Sequence, residues 1–252
     1  SDIDNPKFVG SWGASDEDLF NTAHKRFEML TKKGAPFFSL VFTSSNHEPF
    51  EFPDDEVELY SAPKNSVENA VKYADFALGK FINKAKASDY WENTIFLIVA
   101  DHDTRVYGNE LVPIQKFRIP GLILGGSIQP KEIDEITSQI DLMPTVISLA
   151  GVSAWTPAIG QDISNDNVPP ANRAMMQFGN NYAWMTPKGV AILTPGEDKT
   201  GHYDFDESDF VADQNISQQL RNEALAHALL PSWLYQHRAY FVPESLTKLS
   251  NE

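Results

Sequence analysis

Three apolar runs of strand length constrain the fold more than any other feature of the sequence. They are "PFFSLVFTSS" at 36–45, "NTIFLIVA" at 93–100 and "IPGLILGG" at 119–126. Because the runs are almost continuously apolar and do not alternate with polar residues, they are typical of strands buried on both faces. A sheet built from such strands needs helices to cover both of its sides.

Segments with the helical spacing of apolar residues surround these runs, at about 15–32, 67–82 and 142–150. Ser15 is a suitable N-cap for the first helix, and Asp141 is expected to cap the third. The order helix, strand, helix, strand, strand, helix predicts an α/β fold with a mostly parallel sheet flanked by helices.

The pattern changes after about residue 155, where short, turn-separated and partly alternating segments predict a small antiparallel sheet. These segments span 173–178, 181–186 and 189–195. An acidic segment at 197–213, read as a solvated loop, and a helix at about 216–235 complete the C-terminal part. We expect residues 1–165 to form the α/β body and residues 166–252 to form an antiparallel extension and terminal helix of the same domain.

Composition narrows the function classes. The chain has 20 Lys and Arg residues and 35 Asp and Glu residues, which gives a formal net charge of −15. This charge argues against a nucleic-acid partner, because proteins bind nucleic acids through basic side chains. An anionic substrate would need a cation to neutralise it locally. The absence of cysteine excludes disulfides, thiolate zinc sites and a cysteine nucleophile. No apolar run reaches the length of a membrane span.

Polar clusters follow two of the predicted strands. The run at 36–45 leads into "TSSNHEP", which contains His47, and the run at 93–100 ends at Asp101 and His102, with Arg105 just beyond. Neighbouring strands would bring both clusters to one edge of the sheet, where ligand sites of α/β proteins gather. Asp and His together suit Zn²⁺, Mn²⁺ or Mg²⁺.

Plainer interpretations of these clusters stay open on the residues alone. An Asp-His pair at a strand end is common, so Asp101 and His102 could be only a polar loop that follows the strand. Asn, His and Pro are ordinary turn residues, so "SNHEP" could be a turn without chemistry. Asp103 and Arg105 could form a local ion pair in a solvated loop. Three other histidines are expected to be packing or surface residues: His24, His227 and His237. His202 lies among carboxylates and could bind a cation, but a solvated acidic loop is the favoured interpretation. No nucleophile elbow or glycine-rich phosphate loop is present.

Four motifs resemble, in order and spacing, the sulfatase-like branch of the alkaline phosphatase superfamily, and in particular the lipoteichoic acid synthase-like membrane enzymes of bacteria. The resemblance covers about residues 8–165. It implies an alkaline phosphatase-like fold in which Asp101 and His102 bind a catalytic divalent metal and His47 faces the substrate phosphate. Arg105 would assist anion binding. The motifs are "WGASDEDLF", "PFFSLVFTSSNHEPFEFP", "YADFALGKFINKAKASDYWENTIFLIVADHDTRVYG" and "QIDLMPTVISLAGV".

The sequence departs from the family pattern in one respect. The family's remaining metal contacts, an acidic residue after the first strand and a Thr or Ser nucleophile, lie upstream of everything matched here. We therefore expect the C-terminal part of a longer enzyme, inactive by itself. The sulfatase signature that begins with Cys is also absent, which disfavours sulfate-ester hydrolysis.

The resemblance implies a metal-dependent phosphotransferase or phosphodiesterase that forms a phospho-Thr or phospho-Ser intermediate, with one divalent Mn, Mg or Zn ion. Its substrate would be a phosphate ester or a lipid head group. Its catalytic domain would face the periplasm or the exterior of a bacterial inner membrane. The alternative is a non-catalytic binding module that retains the sulfatase-like fold.

Overall fold

The computed structural model describes residues 3–103, 110–204, 209–215 and 218–242. Four α-helices and nine strands occur in these residues, together with 3₁₀ helices at Trp91–Asn93, Ile114–Phe117 and Gln139–Asp141. The helices are α1 Asp16–Lys32, α2 Val67–Lys86, α3 Leu142–Leu149 and α4 Gln218–His237. The strands are β1 Val9–Gly10, β2 Gly13–Ala14, β3 Phe96–Val99, β4 Gly121–Leu124, β5 Ala174–Phe178, β6 Asn181–Thr186, β7 Gly189–Leu193, β8 Lys199–Asp204 and β9 Asp209–Ala212.

The predicted α/β class, with a C-terminal antiparallel sheet and a terminal helix, is confirmed. Each predicted helix is present, with small shifts of its ends. The chain divides into two compact units, one of residues 1–96 and 124–128 and the other of residues 97–123 and 129–252. The assignment of residues 1–165 and 166–252 to one domain stays a prediction. Within the described ranges, no helix is long and apolar enough to span a bilayer.

The first unit is built around aromatic side chains of α1 and α2. Phe20 and Phe81 stack with ring centroids 5.0 Å apart, and Phe27 meets Tyr90 edge to face at 5.7 Å. The Ser15 side chain accepts a hydrogen bond from the Asp18 amide, as the sequence predicts. Burial of these rings against each other provides the main apolar core of this unit.

The prediction of a strand at 36–45 is wrong, because this segment forms no strand in the structure. Phe37 and Val41 pack against the aromatic core, whereas Phe38, Leu40 and Phe42 are 89%, 80% and 71% exposed. The apolar pattern demands cover on both faces, and the described part of the chain covers only one. A ladder also needs a neighbouring strand, and none pairs with this segment among the described residues.

The two other apolar runs do form strands, β3 and β4, which pair with each other in a two-stranded sheet. Both are shorter than predicted and are not fully buried. Val99 is 37% exposed and Leu122 is 51% exposed, so the expectation of burial on both faces is again met only in part.

The C-terminal sheet has the order β5-β6-β7-β8-β9, with every neighbouring pair antiparallel. Every residue of β7 is buried, because the sheet is covered on both faces. Ala191 and Leu193 pack with residues of α4 on one face. Val190 and Ile192 pack with Val112 and Ile114 on the other.

The acidic segment 197–213, read as a solvated loop from sequence, contributes two strands of this sheet, β8 and β9. Its charges did not prevent pairing, because side chains alternate between the two faces of a strand and one face can stay in water. His202, predicted to be a surface residue of a loop, lies on β8 with its side chain 57% exposed and 3.5 Å from Asp213.

The prediction that Asp141 caps α3 is also wrong, since its side chain makes no cap hydrogen bond to that helix. Its buried carboxylate instead accepts hydrogen bonds from the amides of Ser138 at 2.9 Å and Gln161 at 2.8 Å. The guanidinium of Arg173 binds it with two nitrogens, at 2.6 and 2.7 Å. Four hydrogen bonds therefore satisfy a carboxylate that burial would otherwise make costly.

Arg173→Met should destabilise the chain by about 3–5 kcal/mol, because it leaves the Asp141 carboxylate buried without its cation. The free energy of unfolding in urea measures this loss. Lys131→Met is the matched control, since Lys131 pairs with an exposed Asp166, and such surface pairs contribute about 0–1 kcal/mol. Equal losses of unfolding free energy in the two variants would contradict the role of Arg173 as the partner of the buried Asp141 carboxylate.

Asp141 should also make stability depend on pH. Burial by itself would raise the pKa of Asp141, but the hydrogen bonds from Arg173, Gln161 and Ser138 lower it below the ordinary value of 3.8. The folded state then favours the ionised form, so this contribution is present above the unfolded pKa and is lost as pH falls through the folded pKa. Urea unfolding between pH 5 and pH 3 should show a steeper loss for the native chain than for Asp141→Asn. Parallel losses would refute this linkage.

Candidate active site

The Asp101–His102 pair lies directly after β3, where sequence predicts a metal site. The His102 amide donates to Asp101 Oδ1 at 2.9 Å, and the Nδ1 of the His102 ring bonds to the Asp103 carbonyl at 2.7 Å. A carbonyl only accepts, so Nδ1 carries the proton and Nε2 has its lone pair available. Nε2 lies 3.6 Å from Asp101 Oδ2. The pair therefore presents one imidazole nitrogen and one carboxylate oxygen side by side.

These two atoms fit a shared divalent cation. Ligand atoms about 2.0–2.2 Å from a tetrahedral metal lie about 3.4 Å apart, close to the 3.6 Å observed. A ligating histidine commonly donates its other ring N–H to a carbonyl, as His102 does here. Both side chains are also accessible, 66% exposed for His102 and 63% for Asp101.

The backbone of this loop is fixed from a distance by Gln139. Its Nε2 donates to the Ala100 carbonyl at 2.9 Å and lies 3.1 Å from the Asp101 carbonyl. Gln139 begins the 3₁₀ helix that contains Asp141. The buried Asp141–Arg173 pair therefore anchors the same short element that holds the Asp101 backbone.

The described part of the chain contains few side chains that could complete a metal site. No group of three or more His, Cys, Asp or Glu side chains that could hold a metal occurs there. Arg105, predicted to bind the substrate anion, lies outside the described residues. The described residues thus supply two donors to the predicted metal site.

His47 occupies a tight turn in the other unit. Its amide donates to the Ser44 carbonyl at 3.0 Å, and its carbonyl accepts from Phe50 at 2.7 Å. Its Nδ1 bonds to the Glu48 carbonyl at 2.8 Å, so this ring also keeps Nε2 for an external partner. A shallow polar pocket that includes Ser44 lies beside the ring.

Asp16, at the start of α1, fixes the residues that lead into this turn. Its buried carboxylate accepts from the amides of Ser44 and Ser45, both at 3.0 Å, and its own amide donates to Ser45 Oγ at 3.1 Å. In the sequence, Asp16 stands out only as one of the acidic residues in the first turn of a helix. The residue lies within "WGASDEDLF", one of the matched motifs, which is the signal that could have singled it out.

The predicted proximity of His47 to Asp101 and His102 stays a prediction, as do the roles of all three. The three histidines expected to be packing or surface residues make hydrogen bonds to nearby groups. His24 Nδ1 bonds to the Tyr90 hydroxyl at 2.7 Å, and His227 and His237 bond to helix carbonyls of α4.

The chain is similar in sequence to several known proteins. A family model described as Sulfatase matches residues 1–152. Lipoteichoic acid synthase-like YvgJ of Bacillus subtilis is 30% identical over 219 residues, which cover 77% of this chain and 31% of that protein. Phosphoglycerol transferase I of Xanthomonas campestris pv. campestris is 27% identical over 187 residues, 70% of this chain and 26% of that protein. The chain thus spans under a third of the length of these curated relatives.

Solved structures agree with the fold. A protein in the alkaline phosphatase superfamily from Vibrio parahaemolyticus is 46% identical, with a TM-score of 0.91 over 96% of this chain and 59% of that chain. The lipoteichoic acid synthase LtaP from Listeria monocytogenes, at 24% identity, has a TM-score of 0.70 and covers 93% of this chain and 62% of its own. The alkaline phosphatase-like fold predicted from sequence is therefore confirmed.

If Asp101 and His102 bind Mn²⁺ in the whole protein, Gln139→Ala should weaken that binding about tenfold, because it releases the backbone that orients Asp101. Titration followed by electron paramagnetic resonance of free Mn²⁺ measures the affinity. Gln219→Ala is the control, since Gln219 is exposed and its Nε2 bonds only to Glu223 among the contacts described on α4. Unchanged affinity in Gln139→Ala would contradict the assigned role.

Proposed function

Because this chain belongs to the sulfatase family, within the alkaline phosphatase superfamily, we propose that it is part of a metal-dependent phosphotransferase or phosphodiesterase. The observation that carries this proposal is the convergence of His102 Nε2 and Asp101 Oδ2 after β3, with the second ring nitrogen of His102 bonded to a carbonyl. Such a pair suits a Lewis-acidic divalent cation and lies where α/β folds place their chemistry.

In this proposal Asp101 and His102 are two ligands of one divalent ion, Mn²⁺, Mg²⁺ or Zn²⁺. When bound, the ion would polarise a phosphoryl oxygen. His47 would contact the same phosphoryl group through Nε2, the ring nitrogen that its turn keeps available. Arg105 would add a positive charge for the anion. We assign no nucleophile within this chain, and the Thr or Ser hydroxyl of a phospho-enzyme is proposed to belong to the whole protein.

The proposed substrate is a phosphate ester or a lipid head group. Two relatives support this class by their names, which refer to lipoteichoic acid synthesis and phosphoglycerol transfer. A head-group substrate would place the domain at the periplasmic or outer face of a bacterial inner membrane. With a net charge of −15, the protein would depend on the metal and His47 to attract an anionic group.

A second candidate function is a binding module that keeps the fold without catalysis. Two observations favour this module if no further ligands complete the metal site. Asp101 and His102 are exposed, and the described ranges supply only these two metal ligands. Such a module would bind a phosphate-containing ligand without turning it over.

Single substitutions in the whole protein test the enzyme proposal. With Mn²⁺ and bis(p-nitrophenyl) phosphate, His102→Ala and Asp101→Asn should lower kcat/KM by 100-fold or more and weaken Mn²⁺ binding, because each removes a ligand. His47→Ala should lower kcat/KM by about 10²–10³ while Mn²⁺ binding is retained, because it removes only a substrate contact.

Asp166→Asn, which changes an exposed carboxylate, is the control and should retain full activity. Full activity in His102→Ala would contradict the metal-ligand assignment. A protein that binds Mn²⁺ and phosphate but shows no turnover would favour the binding module. The chain by itself should bind Mn²⁺ weakly; tight binding abolished by His102→Ala would show a more complete site than proposed.

A further inference from the structure

Trp12 lies against His47. The two ring centroids are 4.0 Å apart, and the ring planes are inclined at 45°. Both residues line the same polar pocket, together with Ser11, Ser44 and Glu51. Trp12 is nevertheless 61% exposed, so burial in a core does not explain its position. It contacts the His47 ring and makes a hydrogen bond through its indole N–H.

The indole and the imidazole share one hydrogen-bond acceptor. Trp12 Nε1 donates to the Glu48 carbonyl at 2.8 Å, and His47 Nδ1 bonds to the same oxygen at 2.8 Å. A carbonyl oxygen has two lone pairs and accepts from both. Trp12 therefore holds the acceptor that fixes the His47 tautomer, and its ring face limits rotation of the imidazole.

The position of Trp12 is itself fixed by the short β1–β2 hairpin. Ser11 donates its amide to Glu51 Oε2 at 2.6 Å. A hydrogen bond from the Ser11 side chain, together with this amide bond, lowers the pKa of Glu51. Gly13 follows Trp12 with a φ of +124°, a conformation that favours glycine. The hairpin tip is thus attached at two points, Glu48 and Glu51, to the turn that carries His47.

This arrangement leaves Nε2 as the ring nitrogen of His47 available to a substrate. In the neutral ring Nε2 accepts from a hydroxyl, and in the protonated ring it donates to a phosphoryl oxygen. Either role requires the ring to hold one orientation, because a misplacement of about 1 Å can cost about 100-fold in rate.

We propose that Trp12 is a positioning residue, which holds the His47 ring in a single orientation and tautomer so that Nε2 faces the phosphoryl group of the substrate. The substrate part of this inference rests on the proposed function. The positioning part concerns this chain alone and is tested without turnover.

Nitrogen-15 NMR of the histidine rings tests the positioning directly. His47 in the native chain should show the Nδ1–H tautomer at alkaline pH, and Trp12→Leu should give a mixture enriched in Nε2–H. Trp12→Phe, which keeps a ring but loses the donor, should fall between them. Trp155→Leu is the matched control, since Trp155 is 60% exposed and remote in sequence. Unchanged His47 signals in Trp12→Leu, with the fold intact, would overturn the proposal.

A double-mutant cycle in the whole protein separates positioning from general stabilisation. Trp12→Leu should lower kcat by 10-fold or more with bis(p-nitrophenyl) phosphate and leave Mn²⁺ binding unchanged. In a His47→Ala background the same substitution should have little further effect, because Trp12 acts through His47. An equal loss in both backgrounds would assign Trp12 a structural role and overturn the proposal.

Titration with inorganic phosphate distinguishes failure of the positioning role of Trp12 from failure of the substrate contact of His47. It should shift the His47 Nε2 resonance of the native whole protein and shift it less in Trp12→Leu. If phosphate leaves His47 of the native protein unchanged, the proposed substrate contact fails even where the tautomer result supports positioning. If phosphate shifts His47 equally in both proteins, positioning fails and the substrate contact stands.

Discussion

The position of His47 depends on the hydrogen bonds that the Asp16 carboxylate accepts. From the start of α1, its Oδ1 accepts the amides of Ser44 and Ser45 across 28 and 29 residues of sequence. Asp18, in the same first turn, accepts the Phe8 amide at 3.1 Å. The N-terminus of one helix therefore holds both the turn of His47 and the lead-in to the hairpin of Trp12. Removing an acceptor of this kind leaves buried amides unsatisfied, at a cost of about 1–3 kcal/mol each.

The other unit uses a comparable arrangement. Gln139 holds the carbonyls at the end of β3 from 38–39 residues away, and the Asp141–Arg173 pair anchors the 3₁₀ helix to which Gln139 belongs. In both units the residues with proposed chemistry lie on loops and stay accessible, while buried polar side chains fix the loop backbone. Substrate access and a defined geometry are compatible for this reason.

Local patterns predicted the local structure well. The Ser15 cap, the 3.6-residue spacing of α2 and the turn-separated segments of the C-terminal sheet all depend on neighbours in sequence. The strand at 36–45 failed because its apolar pattern describes burial that other segments must supply, and Phe38, Leu40 and Phe42 stay exposed. Asp101, His102 and His47 could be named because a motif carries them. Trp12, Asp16 and Gln139 could not be assigned roles, since their partners lie 28–39 residues away.

The proposed function depends on the binding of a divalent ion by Asp101 and His102 and on contact between His47 and the phosphoryl group of the substrate. A crystal structure of the whole protein with Mn²⁺ and phosphate, recorded at the manganese absorption edge, tests it most directly. An anomalous peak is expected about 2.2 Å from His102 Nε2 and an Asp101 carboxylate oxygen, with a phosphate oxygen in hydrogen-bond reach of His47 Nε2. A peak on other residues, with Asp101 and His102 unliganded, would contradict the proposed function.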